Sequence, residues 1–340
     1  MMMNKTICIL PHKLGLGGPA SFQGRLIKAL KERGVVVTHD GLNPANSAIL
    51  MIGGTRQIQT LWRAHKNGVK IVQRLNGMNW VHRKTRTGLT HFIRAEVNNW
   101  ILSTIRKMAD RIVYQSQFTR DWWTRVYGET KTPGVVIYNG VDLTQFTPSG
   151  GGTPPLDFIR ILLVEGHYGG GYEQGLDSAV RMVRLLNQRL TKKVELQVVG
   201  SVPERLKNVY KDPGIEIEWR GVVGVEEIPV IDRSAHILFS SDINAACPNS
   251  VIEAMACGLP VIGYNTGALP ELIANNGGSI APYGGDPWNL DPPSAHSLAD
   301  AAGEVLLNLE EYRRGARNRA VGEFDIQRIA DQYMSEFLAF

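Results

Sequence analysis

The sequence has few cysteines and lacks any long apolar run. Its 340 residues include three cysteines, Cys8, Cys247 and Cys257, which lie in or beside apolar stretches without the spacing of a metal site. This usage predicts reduced, structural thiols and excludes a disulfide framework. No apolar stretch approaches the roughly 18 residues of a membrane-spanning helix, and residues 1–5 lack a signal-peptide core. We therefore expect a cytoplasmic protein that does not span a membrane.

Acidic residues are scarce in the first half of the chain. Residues 1–150 contain 21 Lys and Arg against 7 Asp and Glu, whereas the remainder contains 16 against 25. An excess of positive charge predicts that the first half attracts an acidic partner. Nucleic acid, an anionic membrane surface and a phosphate-bearing acceptor are the three classes of partner that fit this charge.

The length and the pattern of short apolar runs predict two α/β domains. A chain of this length exceeds one hydrophobic core, and two domains of about 150 residues are expected. Short apolar runs alternate with helical patterns, which is typical of parallel sheets covered on both faces. The Gly- and Pro-rich segment 149–155 has the composition of a linker. We predict domains over 1–150 and 156–322, followed by a C-terminal helix within 323–340.

The stretch from Cys247 to Glu271 has the pattern of a nucleotide site. It reads as a loop, a helix that begins near Asn249 or Ser250, a turn and a buried strand. Either residue is a suitable helix cap, and the positive end of the helix dipole favours an anion such as phosphate. Glu253 is expected in the first turn, where a carboxylate accepts two hydrogen bonds from a vicinal diol. Phosphate and diol contacts together predict nucleotide binding.

The same stretch resembles the nucleotide-sugar signature of the retaining family 4 glycosyltransferases. The matching string is EAMACGLPVIGYNTGALPE, and a second matching string, VIYNGVDLTQFTP, closes the first half. The resemblance implies the GT-B fold, with two Rossmann-like domains facing each other across a cleft and a C-terminal helix returning to the first domain. It also implies that Glu253 holds the donor ribose, while the amides of Asn249, Ser250 and Val251 meet the diphosphate and sugar.

Two further segments resemble donor-binding parts of this family. Gly17 and Gly18 lie in a Gly-rich loop after the first predicted strand, and the resemblance implies that this loop closes over the diphosphate. Val223 is expected to line the base pocket through its backbone. The glycines also fit a loose dinucleotide fingerprint, but Asp40 is poorly placed for its acidic position, so a nicotinamide enzyme is less favoured.

The chain departs from the family pattern at three positions. Ala245 stands where the family usually has a second acid, and His167 and Gln174 stand nearest its Arg and Lys. We expect Asp242 or Asn244 to supply a polar group to the donor sugar instead. We expect a compensating set in which a nest of amides around Gly170 joins three catalytic side chains, namely His167, Lys13 and Arg74.

The acceptor side is expected in the basic first domain. Asn79 follows a predicted strand at the edge where α/β sheets bind ligands, and Arg83 and Arg86 lie in a basic stretch with interleaved aromatics. This composition suits a lipid-phosphate acceptor or single-stranded nucleic acid. No helical apolar face strong enough for stable insertion is evident. We favour an acidic or lipid-linked saccharide acceptor, transient contact with the inner membrane face and no nucleic acid partner.

The resemblance predicts retaining transfer of a sugar from a nucleoside diphosphate sugar to an acceptor hydroxyl, in cell-envelope, polysaccharide or glycolipid biosynthesis. The nucleotide sugar is a co-substrate, and neither a cofactor nor a metal is expected. Two alternatives stay open. A nucleotide-sugar epimerase or hydrolase of the same fold forms product without an acceptor, and a catalytically silent binding protein binds the donor without turnover.

Overall fold

The computed structural model describes residues 5–12, 17–86, 88–169, 173–211 and 214–339, which form two compact units. Unit 1 comprises residues 1–140 and 324–340, and unit 2 comprises residues 141–323. The division falls after Gly140, ahead of the predicted linker. That linker belongs to unit 2 because Arg233 donates hydrogen bonds to the carbonyl oxygens of Thr147 at 2.9 Å and Gly151 at 2.7 Å.

Unit 1 contains a parallel sheet of six strands with the order β2-β1-β3-β4-β5-β6. Its central strands are almost entirely buried, as expected for a parallel sheet covered on both faces. The strands are β1 (Thr6–Leu10), β2 (Val36–Thr38), β3 (Asn46–Ile52), β4 (Lys70–Leu75), β5 (Arg111–Tyr114) and β6 (Gly134–Val136).

Among the described residues of unit 1, five α-helices surround this sheet, and the last of them comes from the C-terminal segment. They are α1 (Gly18–Glu32), α2 (Ile58–Lys66), α3 (Leu89–Met108), α4 (Gln117–Tyr127) and α12 (Ile326–Leu338). Helix α12 packs on α1, where Arg33 donates to the Gln327 carbonyl oxygen and to Asp331, each at 2.7 Å. The fully buried Tyr333 extends this contact into the core of unit 1.

Unit 2 contains a second parallel sheet of six strands, with the order β12-β11-β10-β7-β8-β9. Its strands are β7 (Ile159–His167), β8 (Val194–Ser201), β9 (Glu216–Gly221), β10 (Ile237–Ser240), β11 (Val261–Tyr264) and β12 (Gly278–Ala281). Its helices are α5 (Glu173–Arg189), α6 (Glu204–Val209), α7 (Ile228–Arg233), α8 (Asn249–Ala256), α9 (Leu269–Leu272), α10 (Ala295–Leu307) and α11 (Leu309–Glu323).

The structure confirms the predicted α/β class, and it adds two strands that the pattern did not predict. Both are edge strands. β2 has three residues, all partly or fully exposed, and β12 begins with Gly278 and Ser279. A short or half-exposed edge strand has few apolar residues to mark it in the sequence. Its strand conformation is stabilised by hydrogen bonds to the neighbouring strand.

Each sheet has one point where the order of connection reverses. In unit 1 the chain runs from β1 to β2 on one side and continues with β3 on the other. In unit 2 it runs from β7 through β8 to β9 and then returns to β10 beside β7. Open α/β sheets bind ligands outside the carboxyl ends of the two strands at this reversal. These two sheet edges are therefore the places to look for a site.

Candidate functional site

Helix α8 begins at Asn249, and Pro248 is the residue that precedes it. The prediction that Asn249 or Ser250 caps the helix is wrong, because both lie inside its first turn and no side-chain cap bond forms. The side chain of Val251 is fully buried, so only its backbone is available to a ligand. An uncapped first turn presents N–H groups that have no intrahelical acceptor, which favours an anion there.

Glu253 lies in the second turn of α8, not in the first as the sequence suggested. Glu253 is largely buried, with 9% of its surface exposed to solvent. Beneath it, burial and then the charge of Glu253 raise the pKa of Asp232 in α7 well above its usual range. These two causes favour the protonated form of Asp232.

His167 and Gln174, which stand nearest in sequence to the positions of the family's Arg and Lys, have different surroundings. His167 ends β7 and is exposed, and its ring lies against Gly169, where a Cβ atom would come within 2.6 Å of Nε2. The Gln174 side chain donates to the Asp291 carbonyl oxygen at 3.0 Å, so it fastens α5 to a neighbouring loop. Gly170, the centre of the predicted amide nest, lies outside the described residues.

Sequence reasoning missed Glu165, which lies at the reversal point of the unit 2 sheet. Its Oε1 atom accepts a hydrogen bond from the Ser241 hydroxyl at 3.0 Å. Burial, with the charge of Asp242 as the second cause, raises the pKa of Glu165 to about 8, and burial raises the pKa of Asp242 to about 6. Glu165 precedes the Gly-rich segment in the sequence, and that position was the only available signal.

The loop from β10 to α8 is tightly packed where the family's second acid would stand. Ala245 is buried, and its carbonyl oxygen accepts from the Ala268 N–H at 2.9 Å. A Cβ atom on Gly267 would come within 2.6 Å of the Ala245 nitrogen. Asn244 adopts a left-handed backbone conformation with φ 58° and is 5% exposed. Its Nδ2 atom has no hydrogen-bond partner among the described residues.

The loop after β1 in unit 1 is only partly described. Gly17 precedes α1 with φ 121°, a conformation that favours glycine, and Gly18 is the first residue of that helix. Lys13 lies outside the described residues. In unit 2, Val223 follows β9 and is half-buried. The donor contacts implied for the two glycines and for Val223 stay predictions.

Arg74 is buried inside unit 1, with 1% of its surface exposed to solvent. Its guanidinium donates to Asn76 Oδ1 at 2.8 Å and to Asn139 Oδ1, and it lies 4.0 Å above the centre of the Phe22 ring. These contacts hold the side chain within the unit. The predicted contact of Arg74 with a bound diphosphate stays a prediction.

A cavity of about 590 Å³ lies at the carboxyl ends of β3 and β4 in unit 1. Asn79 lines it, and the Asn99 side chain fixes this loop by accepting from the Asn79 N–H at 3.0 Å and donating to its carbonyl oxygen at 2.8 Å. Three basic side chains also line the cavity, namely Arg56, His91 and Arg94, beside apolar side chains of α3. The mixture suits an anionic, partly apolar ligand.

The other two predicted acceptor residues lie elsewhere. Arg83 forms a two-pronged ion pair with Glu96, with Nε–Oε1 and Nη2–Oε2 distances of 2.6 and 2.8 Å. The Arg83 hydrogen bonds are the main cause that lowers the pKa of Glu96 to about 2. Arg83 therefore fastens the segment before α3 to that helix. Arg86 is exposed beside the same segment.

Residues 89–100 of α3 carry an exposed apolar face, which the sequence pattern did not reveal. Leu89 is 76% exposed and Trp100 is 62% exposed, and three exposed apolar residues lie on the turns between them, namely Phe92, Ile93 and Val97. This spacing repeats every three or four residues, so the side chains share one side of the helix. None of the described helices is long and apolar enough to cross a membrane.

Both halves of the chain match sequence families of glycosyltransferases. Residues 8–145 match the family described as Glycosyltransferase Family 4, and residues 160–308 match the family described as Glycosyl transferases group 1. The second match contains the reversal point of the unit 2 sheet and helix α8. The chain belongs to the family 4 glycosyltransferases.

Individual relatives agree with this assignment. The chain is 27% identical over 202 residues to a D-inositol 3-phosphate glycosyltransferase of Streptomyces bingchenggensis, covering 53% of this chain and 43% of the relative. It is 28% identical to a GDP-mannose-dependent alpha-(1-6)-phosphatidylinositol dimannoside mannosyltransferase of Mycobacterium tuberculosis, covering 65% and 55%. The chain thus spans about half the length of these curated relatives.

A solved structure shows that this family member has the GT-B fold. The crystal structure of Anabaena HepE in complex with UDP-glucose superposes with a TM-score of 0.69 at 14% identity, covering 98% of this chain and 100% of that chain. The two Rossmann-like sheets of units 1 and 2 are the two domains of that fold.

Proposed function

We propose that this family 4 glycosyltransferase transfers a sugar, with retention of configuration, from a nucleoside diphosphate sugar to a hydroxyl of an acidic or lipid-linked saccharide. The observation that carries the proposal is the reversal point of the unit 2 sheet, where the uncapped first turn of α8 stands before Glu253. A helix terminus that binds an anion, next to a carboxylate that accepts hydrogen bonds from a diol, suits a nucleoside diphosphate. The relatives named above include a GDP-mannose-dependent enzyme and a UDP-glucose complex.

In the proposed reaction the acceptor hydroxyl attacks the face of the sugar from which the diphosphate leaves, and the departing diphosphate takes the hydroxyl proton. No carboxylate nucleophile is assigned, and no metal forms part of the proposal. The chain then contributes positioning and charge stabilisation, which are the main terms in such a transfer. Glu253 orients the ribose, and the first-turn amides of α8 stabilise the diphosphate.

A thermal-shift panel of UDP, GDP, ADP, their common sugar conjugates and NAD tests the donor class. A ligand at about 100 times its Kd stabilises the folded state by about 2.7 kcal/mol, which raises Tm by several degrees. We expect one nucleotide sugar to raise Tm and NAD to have no effect. A shift with NAD alone, or with no nucleotide, contradicts the proposal.

Product analysis with that nucleotide sugar separates the transferase from the two alternatives. We expect product only when an acceptor such as phosphatidylinositol is present in vesicles or micelles. Product without an acceptor indicates an epimerase or hydrolase. Donor binding without turnover across a range of acceptors indicates a silent binding protein, which the replacement of the family's Arg and Lys by His167 and Gln174 would explain.

The exposed face of α3 supports a lipid-linked acceptor presented at an anionic membrane surface. Its apolar side chains lie beside basic residues that line the adjoining cavity, including Arg94 and His91. Apolar area combined with positive charge is what reversible binding to anionic lipid requires. We propose peripheral contact through this face.

Vesicle co-sedimentation tests this contact. Trp100→Glu is expected to lower the partition coefficient onto phosphatidylglycerol-containing vesicles at least tenfold, because burying a large apolar side chain contributes about 1.5–3 kcal/mol. Leu307→Glu is the matched control, since Leu307 is an exposed apolar residue at the end of α10 in unit 2. Equal losses for both variants, or no binding by the wild type, would contradict the assignment of the α3 face.

A further inference from the structure

Two carboxyl groups occupy the reversal point of the unit 2 sheet. Glu165 lies near the carboxyl end of β7, and Asp242 follows the end of β10, the neighbouring strand. This is the place where an open α/β sheet binds its ligand. A bound diphosphate and two ionised carboxylates would repel one another there, so the protonation of the pair matters for donor binding.

The backbone around Glu165 is built to hold an irregular strand end. The register with β8 shifts between Val164 and His167, so that Glu165 lies in a bulge. The carbonyl oxygen of Glu165 packs against Gly200, where a Cβ atom would come within 1.8 Å. Gly200 has φ +128°, a conformation that favours glycine. Bulges of this kind redirect a side chain beside a functional site.

Further contacts hold the backbone around Glu165 and the position of its side chain. The Tyr168 hydroxyl lies 3.1 Å from the carbonyl oxygens of both Leu163 and Val199, which ties the bulge to the adjacent strand. The Ser241 hydroxyl donates to Glu165 Oε1 at 3.0 Å and thereby turns the carboxyl group towards β10. With Oε1 accepting this bond, we assign the acid proton of a neutral Glu165 to Oε2.

The surroundings keep a proton on the pair at neutral pH. Burial first, and the charge of Asp242 second, raise the pKa of Glu165 to about 8, whereas burial raises the pKa of Asp242 to about 6. Both shifts favour a state in which the pair holds one proton, and Glu165 has the higher pKa of the two. Titratable groups near the pair in the chain include His167 at the end of β7, Tyr168 directly after it, and Glu173 of α5, which pairs with Arg205 at 3.4 Å.

An independent observation indicates that a polar ligand completes this loop. Asn244 lies two residues after Asp242 in a left-handed conformation, is 5% exposed, and its Nδ2 atom has no hydrogen-bond partner among the described residues. A buried amide donor without an acceptor is unfavourable, and strained, unsatisfied groups of this kind concentrate at ligand sites. The loop therefore offers the Asn244 amide as an uncharged hydrogen-bond donor to a ligand.

We propose that Glu165 binds the diphosphate of the nucleotide sugar as a neutral acid, donating its Oε2 hydrogen where the family resemblance implies a cationic contact. This inference rests on the function proposed above. Asp242 supports it by keeping the proton on Glu165. The neighbouring candidates do not supply a fixed cation, since Gln174 is uncharged and donates to the Asp291 carbonyl oxygen.

The proposal predicts a pH dependence with a definite sign. The neutral acid binds the anion and its ionised form repels it, so affinity is present below the pKa of Glu165 in the folded protein and is lost as pH rises through it. We expect the Kd of the bound nucleotide sugar to stay constant from pH 6.5 to 7.5 and to rise about tenfold per unit above about pH 8. Calorimetry in two buffers of different ionisation enthalpy is expected to show proton uptake at pH 8.5 to 9.

Three variants make this test specific, with UDP-glucose and GDP-mannose as the probes. Glu165→Gln is expected to bind within about threefold of the wild type at pH 7 and to lose the pH dependence, because an amide N–H replaces the acid O–H. Asp242→Asn is expected to move the midpoint to lower pH, because it removes a charge that holds the proton on Glu165. Glu216→Gln, on the edge strand β9, is the matched control and keeps the wild-type profile.

Two results would overturn the proposal. One is a wild-type Kd that does not change between pH 7 and 9, and the other is a Glu165→Gln variant that folds with the wild-type Tm but no longer binds at pH 7. The second result would show that Glu165 acts as a charged acceptor. If the wild type binds neither probe nor any other nucleotide sugar, the proposed function itself fails, so the two failures are distinguishable.

Discussion

Replacing Glu253 with glutamine is expected to raise the Kd for the nucleotide sugar about 100-fold, equivalent to about 2.7 kcal/mol. The carboxylate is assigned two hydrogen bonds from the ribose hydroxyls, and a hydrogen bond to a charged group contributes about 1.5–3 kcal/mol. Glutamine keeps the volume of this buried residue but exchanges one acceptor oxygen for an N–H donor. The expected loss therefore arises from binding, with little change in the free energy of unfolding.

The measurement is calorimetric titration of the nucleotide sugar at pH 7, with unfolding monitored in parallel. Asp232→Asn is the matched control, because burial and the charge of Glu253 favour the protonated form of Asp232, and an amide of the same shape replaces it. We expect the control to bind like the wild type. A Glu253→Gln variant with an unchanged Kd would remove Glu253 from the donor site and leave α8 as a purely structural helix.

Tyr333→Ala is expected to lower the free energy of unfolding of unit 1 by about 3–5 kcal/mol, the usual cost of truncating a large buried aromatic. Tyr333 is fully buried in α12, and its ring centre lies 5.7 Å from that of Phe22 in α1 and 6.2 Å from that of Phe337. Removing the ring leaves a cavity where the end of the chain joins the first core.

Tryptophan fluorescence during urea unfolding measures this effect, because five of the seven tryptophans belong to unit 1, namely Trp62, Trp80, Trp100, Trp122 and Trp123. Ser335→Ala on the same helix is the control, since Ser335 is exposed and its hydroxyl donates only to the Asp331 carbonyl oxygen. Similar midpoints for the two variants would show that α12 contributes little to unit 1.

Buried central strands could be predicted from the sequence, whereas the edges of the sheets could not. Thr6–Leu10 and Ile237–Ser240 are apolar throughout or nearly so, because a central strand of a parallel sheet is covered on both faces. Val36–Thr38 carries no such run, since it is an edge strand of three residues. Its pairing with β1 decides its conformation, and that pairing is not local information.

The helix boundaries show the same limit at the site itself. The sequence correctly placed a helix before the buried strand β11, but it assigned the cap to Asn249 or Ser250 and put Glu253 in the first turn. The loop before Pro248 packs closely against Gly267, which follows β11 in the chain, and such a contact is not visible in a local sequence pattern. A shift of one or two residues at the boundary moved Glu253 into the second turn.

By itself the sequence determined the α/β class, the alternation of strands and helices in both halves and the family, because these depend on local periodicity and on a contiguous motif. Only the tertiary structure decided that Arg74 is buried among Asn76, Asn139 and Phe22, and that the Glu165 carboxyl meets Ser241, 76 positions away. Side chains that are distant in sequence share a site only when strand order and register bring them together. Only in the folded chain do burial and neighbouring charges change the pKa values of these side chains.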